Sequence, residues 1–286
     1  MCRFLAYKGM PILMDQLLYQ PQNSLIHQSY HALERQDPVN GDGFGIGWYV
    51  PEISPEPIRY VSVKPAWNDM NLRSMAPKTK AECFFAHVRD ASVGAVTELN
   101  CHPFQFGPYL MMHNGRIEGF KNIKRPLRAF LAQNIYDWLS GETDTEHFFA
   151  LFLHHLYKSK SENHQNADII EALVKAIISL KQLFKAHQPE KHFYLNLAIT
   201  DGKKLVACRY DTNPEIEAPT LYYSTGGHFQ CVDGYCRMVP TNSAERSVLI
   251  VSERLTEVEE DWHKIPEQHL VVVSENLDVS VIPIEI

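Results

Sequence analysis

The sequence lacks any long hydrophobic run. No segment of its 286 residues approaches the roughly 20 consecutive apolar residues that a membrane-spanning helix needs. The opening residues, MCRFLAYKG, have no extended apolar core of the kind found in a secretory signal, and Asp15 and Gln16 interrupt the stretch that follows. These absences predict a protein that is neither inserted into a membrane nor exported, and we expect it in the cytoplasm.

Positive charge is also scarce. The chain has 27 Lys and Arg against 34 Asp and Glu, a formal net charge of −7. Its one basic cluster, KNIKRPLR (121–128), is interleaved with apolar residues, which favours the solvated start of a helix. Because nucleic-acid binding requires concentrated Lys and Arg, this distribution argues against nucleic acid as the main partner.

The cysteines show neither a CxxC pair nor a regular framework. They are Cys2, Cys83, Cys101, Cys208, Cys231 and Cys236. This pattern predicts reduced thiols in a cytosolic protein. Cys231 and Cys236 could form a disulfide or bind a metal, but the segment CVDGYC is more typical of a β-hairpin with Asp233-Gly234 at its turn.

The order of patterns along the chain predicts the fold class. Residues 1 to about 115 read mostly as strands, the middle of the chain is helical, and strands return from about His192. We expect one helix to begin at Pro126 and another to be capped by Thr143 or Asp144. Strands, then helices, then strands indicate an α+β protein with antiparallel sheets, folded as one domain over 1–286.

Cys2 is a candidate nucleophile because of its position. A thiol near its ordinary pKa needs a nearby base to become a thiolate at neutral pH. Removal of Met1 would free the α-amine of Cys2, whose pKa of about 7.7–8 suits it to accept that proton. One residue would then supply both nucleophile and base. The alternative is an ordinary buried thiol that happens to come early in the chain.

The segment HVRDASVG ends a predicted strand in polar residues. Alternation along that strand places His87 and Arg89 on one face, with Arg89 at the polar end. Arg89 could bind a carboxylate through two parallel hydrogen bonds, or it could form a structural ion pair. We interpret His87 as a core histidine whose hydrogen bonds are satisfied.

Two further segments offer groups that could bind a substrate. In HNG, the Asn114 side chain and the Gly115 N–H could stabilise an oxyanion, although an Asn-Gly pair is also a hairpin-turn signal. In GETDTE, Asp144 could cap a helix or bind an ammonium group. A thiol, an oxyanion hole, a carboxylate-binding group and an ammonium-binding group together suit glutamine or another γ-glutamyl compound.

Taken in order, these motifs resemble a known family. MC, GDGFGIGWY, AHVR, HPF, HNG and GETDTE are similar to the class II glutamine amidotransferases of the N-terminal nucleophile (Ntn) hydrolase superfamily. RFLAYKG, QPQNSLIHQSY, KPAWND, NIKRPL and VSERLT resemble its stand-alone members, such as the amidotransferase-like subunit of glutathione degradation and the γ-glutamyl hydrolase of ergothioneine biosynthesis.

The resemblance implies a fold and a set of roles. The fold is a four-layer αββα sandwich of two antiparallel sheets, and no cofactor or metal is implied. The implied residues are Cys2 as nucleophile after removal of Met1, Asn114 and Gly115 as oxyanion hole, Arg89, Ser92 and Asp144 as substrate-binding residues, and Asp42 and Gly43 in the loop around the nucleophile.

Two positions depart from the family pattern. Asp90 stands where synthetase-linked members have Trp, and Val93 stands where some have His. We also find no appended synthase domain, which favours hydrolysis of a small γ-glutamyl substrate. The alternatives are a glutaminase that delivers ammonia to a separate synthase, and an inactive regulatory subunit. A separate peptidase or synthase subunit is the expected type of protein partner.

Overall fold

Two antiparallel sheets form the centre of the molecule. The computed structural model describes residues 2–34, 38–158, 164–213, 215–232, 234–241 and 245–286. Their strands are β1 (Arg3–Leu13), β2 (Phe44–Val50), β3 (Ser54–Ser62), β4 (Lys80–Val88), β5 (Phe104–Phe106), β6 (Tyr109–His113), β7 (Arg116–Ile117), β8 (Phe193–Thr200), β9 (Leu205–Asp211), β10 (Tyr222–Val232), β11 (Tyr235–Pro240), β12 (Ser247–Val251), β13 (His263–Lys264), β14 (His269–Val273) and β15 (Val279–Pro283).

The first sheet has the order β11-β10-β12-β1-β4-β2-β3, with β13 paired to β10. The second has the order β15-β14-β9-β8-β6-β5, with β7 paired to β8. In the first sheet, Arg3 pairs with Val88 of β4, and Leu5 pairs with Val251 of β12. Because these pairings are antiparallel, the start of β1 lies beside the ends of β4 and β12.

The helices lie outside the two sheets. They are α1 (Asp15–Leu18), α2 (Leu25–Tyr30), α3 (Met70–Met75), α4 (Phe120–Phe130), α5 (Gln133–Trp138), α6 (Asp144–Leu156) and α7 (Asn166–His187). Within the parts of the chain that the structure describes, no helix is both long and apolar enough to cross a membrane.

Alternation along β1 divides its side chains between two cores. Phe4 and Ala6 lie in the core between the sheets, where Met112 of β6 faces them. Leu5 and Tyr7 lie on the outer face of the first sheet. This is the alternation that the sequence CRFLAY predicts for a strand buried on both faces.

Three apolar cores separate four layers. Between the outer face of the first sheet and α1–α3 lies a core that includes Leu17 and Leu72. Between the second sheet and α4, α6 and α7 lies another, which includes Leu127 and Phe149. Together with the core between the sheets, they give helix, sheet, sheet and helix layers. The predicted αββα sandwich of two antiparallel sheets is therefore confirmed.

The prediction of one helix starting at Pro126 was wrong. The segment forms two helices, and α4 begins six residues earlier, so that Pro126 lies inside it. Phe120, Ile123 and Leu127 are buried at helical spacing, and their packing draws the preceding turn into the helix. Leu131 is extended and ends α4.

Cys231 and Cys236 correct the expectation of reduced thiols. They are directly opposite one another on β10 and β11, and a disulfide joins them. The predicted hairpin brings their Cα atoms to 4.0 Å, within reach of a disulfide. Gly234 has a φ of 83°, and Asp233 lies outside the described residues. The other four cysteines are free.

Candidate active site

The Cys2 thiol lies at the start of β1, where two other strands end. Cys2 is half-buried, and its Sγ is 3.5 Å from both the backbone nitrogen and the carbonyl oxygen of Asp90. Burial raises the pKa of the Cys2 thiol, while the hydrogen bond from the Asp90 backbone opposes that change. The resting group is therefore a protonated thiol, which needs a base before it can attack a carbonyl.

Asp42 and Gly43 hold the segment that contacts this thiol. Arg89 N–H donates to the Gly43 carbonyl at 2.8 Å, and Asp42 N–H donates to the Arg89 carbonyl at 2.9 Å. The Asp42 carboxylate accepts a further hydrogen bond from Ala91 N–H at 2.8 Å. Gly43 has a φ of 112°, a conformation that favours glycine. The loop 42–43 thus fixes the backbone next to Cys2.

The guanidinium of Arg89 is buried beside the thiol. Its Nη1 and Nη2 donate to the carbonyls of Ala95 and Val93 at 3.2 and 3.1 Å, within its own loop. In the described part of the chain no carboxylate lies at ion-pair distance from Arg89, so the structural ion pair is absent there. Its charge and remaining N–H groups therefore suit a bound carboxylate. Ser92 lies in the same loop and is exposed.

Asn114 is connected to the strand of Cys2 through Ser252. Asn114 Nδ2 donates to Ser252 Oγ at 3.3 Å, and the same Oγ accepts from Phe4 N–H at 3.0 Å. Asn114 N–H donates to the carbonyl of Asn196 on β8 at 2.7 Å. Asn114 is 1% exposed, with its side chain held by Ser252 after β12 and its backbone held by β8.

The alternative of a hairpin turn at Asn114-Gly115 is wrong. The strands on either side, β6 and β7, both pair with β8 and not with each other. A Cβ at Gly115 would lie 1.9 Å from His113 Nε2 and 2.3 Å from the Tyr194 carbonyl oxygen. Only glycine fits there, because the backbone at this position lies in close contact with the His113 side chain and with the backbone of β8.

Asp144 is buried at the start of α6. Thr143 caps the helix by accepting from Glu146 N–H, so Asp144 is not the cap. The Asp144 carboxylate accepts from Ile117 N–H at 3.0 Å and from Thr145 N–H at 2.9 Å. This contact ties α6 to β7, directly after the Asn114-Gly115 segment.

The Tyr194 phenol interacts electrostatically with both Asp144 and Cys2. Burial raises the pKa of Tyr194 to about 12; Arg116 opposes this change, while electrostatic interactions with Cys2 and Asp144 add to it. Both groups therefore act on the same phenol from within electrostatic range. The structure brings Cys2, Arg89, Asn114 and Asp144 to one end of the sandwich and leaves Ser92 on its rim.

His87 is a core histidine, as interpreted from the sequence. Its Nε2 lies 3.1 Å from the His113 carbonyl oxygen and 2.8 Å from Nδ1 of His102. Burial lowers the pKa of His87 to about 3, so the ring is neutral near pH 7. It supports the backbone just before Asn114 and does not contact the thiol.

Sequence reasoning missed Arg3, Ser252 and Glu253. The Arg3 guanidinium donates to the Cys2 carbonyl at 2.9 Å and forms a buried ion pair with Glu253, with Nε and Oε1 2.5 Å apart. A signal was present, because Ser252 and Glu253 directly follow the apolar strand SVLIV. The segments HVRD and HNG were recognised by that same change from apolar to polar.

The arrangement suits attack on an amide carbonyl. It combines a thiol, a fixed side-chain amide that can donate to an oxyanion, and a buried cation. Among the residues that the structure describes, no group of three or more His, Cys, Asp or Glu side chains is placed to hold a metal ion.

Comparison with known proteins identifies the family of this chain. The family model for class-II glutamine amidotransferases matches residues 19–282. The chain belongs to the class-II glutamine amidotransferases. Among its relatives, the probable glutamine amidotransferase DUG3 of Saccharomyces cerevisiae is 36% identical over 96% of this chain and 82% of that protein.

Two further similarities to this class II amidotransferase cover different shares of the chains compared. The γ-glutamyl-hercynylcysteine sulfoxide hydrolase of Mycobacterium tuberculosis is 36% identical over 41% of this chain and 50% of its own length. The solved structure of a class-II domain protein from Silicibacter pomeroyi has a TM-score of 0.67 at 24% identity, over the whole of both chains. The structural match supports the fold alone.

Proposed function

We propose that this class II amidotransferase hydrolyses a γ-glutamyl amide bond, with Cys2 as the nucleophile and 1–286 acting as one domain. The observation that carries the proposal is the link from Cys2 to Asn114. Asn114 Nδ2 and Phe4 N–H both donate to Ser252 Oγ, so an amide donor is fixed to β1, the strand that directly follows Cys2. The names of the yeast and mycobacterial relatives support the same reaction class.

The mechanism follows from the available groups. After removal of Met1, the α-amine of Cys2 accepts the thiol proton, and the thiolate attacks the γ-carbonyl. Asn114 Nδ2 has a second N–H besides the one given to Ser252, and with Gly115 N–H it binds the oxyanion. The protonated amine passes its proton to the leaving group, which departs from the tetrahedral intermediate and leaves a γ-glutamyl thioester on Cys2. Water then hydrolyses the thioester.

The substrate's amino-acid end has complementary partners. We propose that Arg89 binds the α-carboxylate, with Ser92 at the rim, and that Asp144 binds the α-ammonium. The substrate is then a small γ-glutamyl compound, hydrolysed in the cytoplasm. A separate peptidase or synthase subunit takes up the product. Assays with glutamine and with γ-glutamyl peptides distinguish a glutaminase from a γ-glutamyl peptide hydrolase.

Substitution of Cys2 tests the assignment. Cys2→Ala should lower kcat by at least about 10³-fold, since the covalent route is lost. The matched control is Cys208→Ala, another free cysteine, which lies in the core next to the helices and should keep its activity. A Cys2→Ala variant with normal turnover would refute the mechanism.

Intact mass tests the proposed base. The active protein should lack one methionine, because an α-amine locked in a peptide bond cannot accept a proton. Full activity in a homogeneous preparation that retains Met1 would exclude the α-amine as the base.

A further inference from the structure

Cys2 lies just outside the strand pairing that holds the rest of β1. The first residue pair between β1 and β4 is Arg3 with Val88, so the pairing begins one residue after the nucleophile. Removal of Met1 would leave Cys2 joined to the chain on one side only. Strand pairing therefore cannot by itself fix the α-amine that acts as the base in the proposed mechanism.

The side chain of Arg3 supplies a contact that the strand pairing does not. Its Nη1 donates to the Cys2 carbonyl at 2.9 Å. Because a peptide group is planar, a fixed carbonyl also fixes the position of the Cys2 Cα atom. The 3.5 Å contacts between the Cys2 thiol and the Asp90 backbone then limit rotation about the bond between Cα and the carbonyl carbon. Together these contacts determine where the α-amine lies.

Each nitrogen of the Arg3 guanidinium has a different partner. Its Nε forms the buried ion pair with Glu253, and its Nη2 donates to the Glu34 carbonyl at 3.4 Å. The Glu253 carboxylate also accepts from Leu33 N–H at 2.9 Å and from Glu34 N–H at 3.2 Å. The side chains of Arg3 and Glu253 are 3% and 0% exposed, so water cannot readily compete for these hydrogen bonds. The planar guanidinium is therefore a rigid support for the Cys2 carbonyl.

Glu253 directly follows the residue that holds the oxyanion donor. Ser252 Oγ accepts from Asn114 Nδ2, and Glu253 binds Arg3. Two adjacent residues after β12 thus support the amide donor and, through Arg3, the nucleophile. A buried ion pair contributes little net stability, because desolvation offsets the attraction between its charges. Stability alone therefore gives a poor account of a buried ion pair at this position.

We infer that Arg3 is a positioning residue for the nucleophile, and that its ion pair with Glu253 fixes the thiol and α-amine of Cys2 relative to the Asn114 donor. The inference rests on the proposed function, in which this amine accepts the thiol proton. Among the described residues, the Arg3 guanidinium forms no hydrogen bond with the thiol or with the proposed substrate-binding residues. Its loss should therefore slow the chemical step and leave substrate binding intact.

Two variants remove this support in different ways. Arg3→Lys keeps a positive charge opposite Glu253, but a single ammonium nitrogen cannot replace three donors that lie in one plane. The double variant Arg3→Gln/Glu253→Gln removes both charges and so leaves no unpaired buried charge. Leu173→Ala is the control, because it destabilises the core between the second sheet and the helices, away from β1.

Two measurements are made on each variant. With glutamine and with a γ-glutamyl dipeptide, both Arg3 variants should have kcat lowered about tenfold or more and KM within about twofold of the parent value, since orientation is lost and binding is not. Alkylation of Cys2 by iodoacetamide at pH 7, followed by peptide mass spectrometry, should slow about tenfold, because the amine is no longer placed to take the thiol proton. Leu173→Ala should match the parent protein in both measurements.

The outcomes separate the positioning role from the proposed function. Unchanged kcat and alkylation in the double variant, or equal losses in Leu173→Ala, would overturn the positioning role. A raised KM with unchanged kcat would also overturn it, since Arg3 would then act on substrate binding. If the parent protein hydrolyses neither substrate, the proposed function fails. Slower alkylation in both Arg3 variants would still support the positioning role, because that measurement needs no substrate.

Discussion

At the scale of single residues, the Ser252 hydroxyl joins the two sheets at the candidate site. Its Oγ accepts from Phe4 N–H in the first sheet and from Asn114 Nδ2 at the end of a strand of the second. Ser252 is 1% exposed, so water cannot readily replace it. Loss of this oxygen would leave two buried donors unsatisfied.

We expect Ser252→Ala to lower the free energy of unfolding by about 1–3 kcal/mol, the cost of unsatisfied buried donors. It should also lower kcat more than it changes KM, because Asn114 loses its fixed orientation. Ser224→Ala is the control, since Ser224 Oγ is buried without a partner among the described residues. Urea unfolding and steady-state kinetics measure both effects, and equal behaviour of the two variants would contradict the role of Ser252.

The sequence allowed only some of these residues to be predicted. Cys2, Arg89 and Asn114 each stand in a short motif whose chemistry can be interpreted locally. Ser252 gains its role from pairing between β1 and β12, which are more than 230 residues apart in the chain. No local pattern states which distant strand will be the neighbour, so its partners could not be predicted.

At the scale of elements, β4 remains buried up to its C-terminal end. His87 lies one residue before the end of β4 and contacts His102, in the loop before β5, and the carbonyl of His113 at the end of β6. Burial lowers the pKa of His87 to about 3. In the unfolded chain a histidine has a pKa of about 6.5.

This difference predicts a pH-dependent stability. Between pH 6.5 and about 3 the unfolded state binds a proton at His87 that the folded state does not, so stability falls as the pH falls. In that window, we expect His87 to lower the free energy of unfolding by about 1 kcal/mol for each unit by which the pH falls. Above the window, it should have no effect. Urea unfolding of the parent protein and His87→Gln at pH 7 and pH 5 measures this. Equal losses in both proteins would contradict the prediction.

At the scale of the whole molecule, the side chains packed between the two sheets determine their spacing. Ala6, Ala198 and Ala207 lie in the core between them. Cys2 and Ser252 come from the first sheet, and Asn114 follows a strand of the second, so the geometry of the site depends on this spacing. The layer order could be predicted from the sequence pattern and the family resemblance. The spacing could not, because it depends on which small residues face each other across the core.

We expect Ala207→Leu to lower the free energy of unfolding by about 1–3 kcal/mol, because extra volume in a packed core forces the backbone to shift. Activity should fall as well, since the sheets move apart at the site. Ala129→Leu, at an exposed position of α4, is the control and should change neither property. An active, stable Ala207→Leu variant would show that the sheets can separate without disturbing the site.

The place of β1 in the sheet also determines when the site can form. Residues 3–13 are synthesised long before residues 252 and 253, yet β1 lies between β4 and β12 and is held at Arg3 by Glu253 and at Phe4 by Ser252. At about 5–20 residues per second, their synthesis follows that of Cys2 by roughly 10–50 s. During that interval Cys2 lacks its final neighbours. In the mechanism proposed above, removal of Met1 therefore precedes the burial of Cys2, and the thiol gains its final neighbours only after residue 253 has been made.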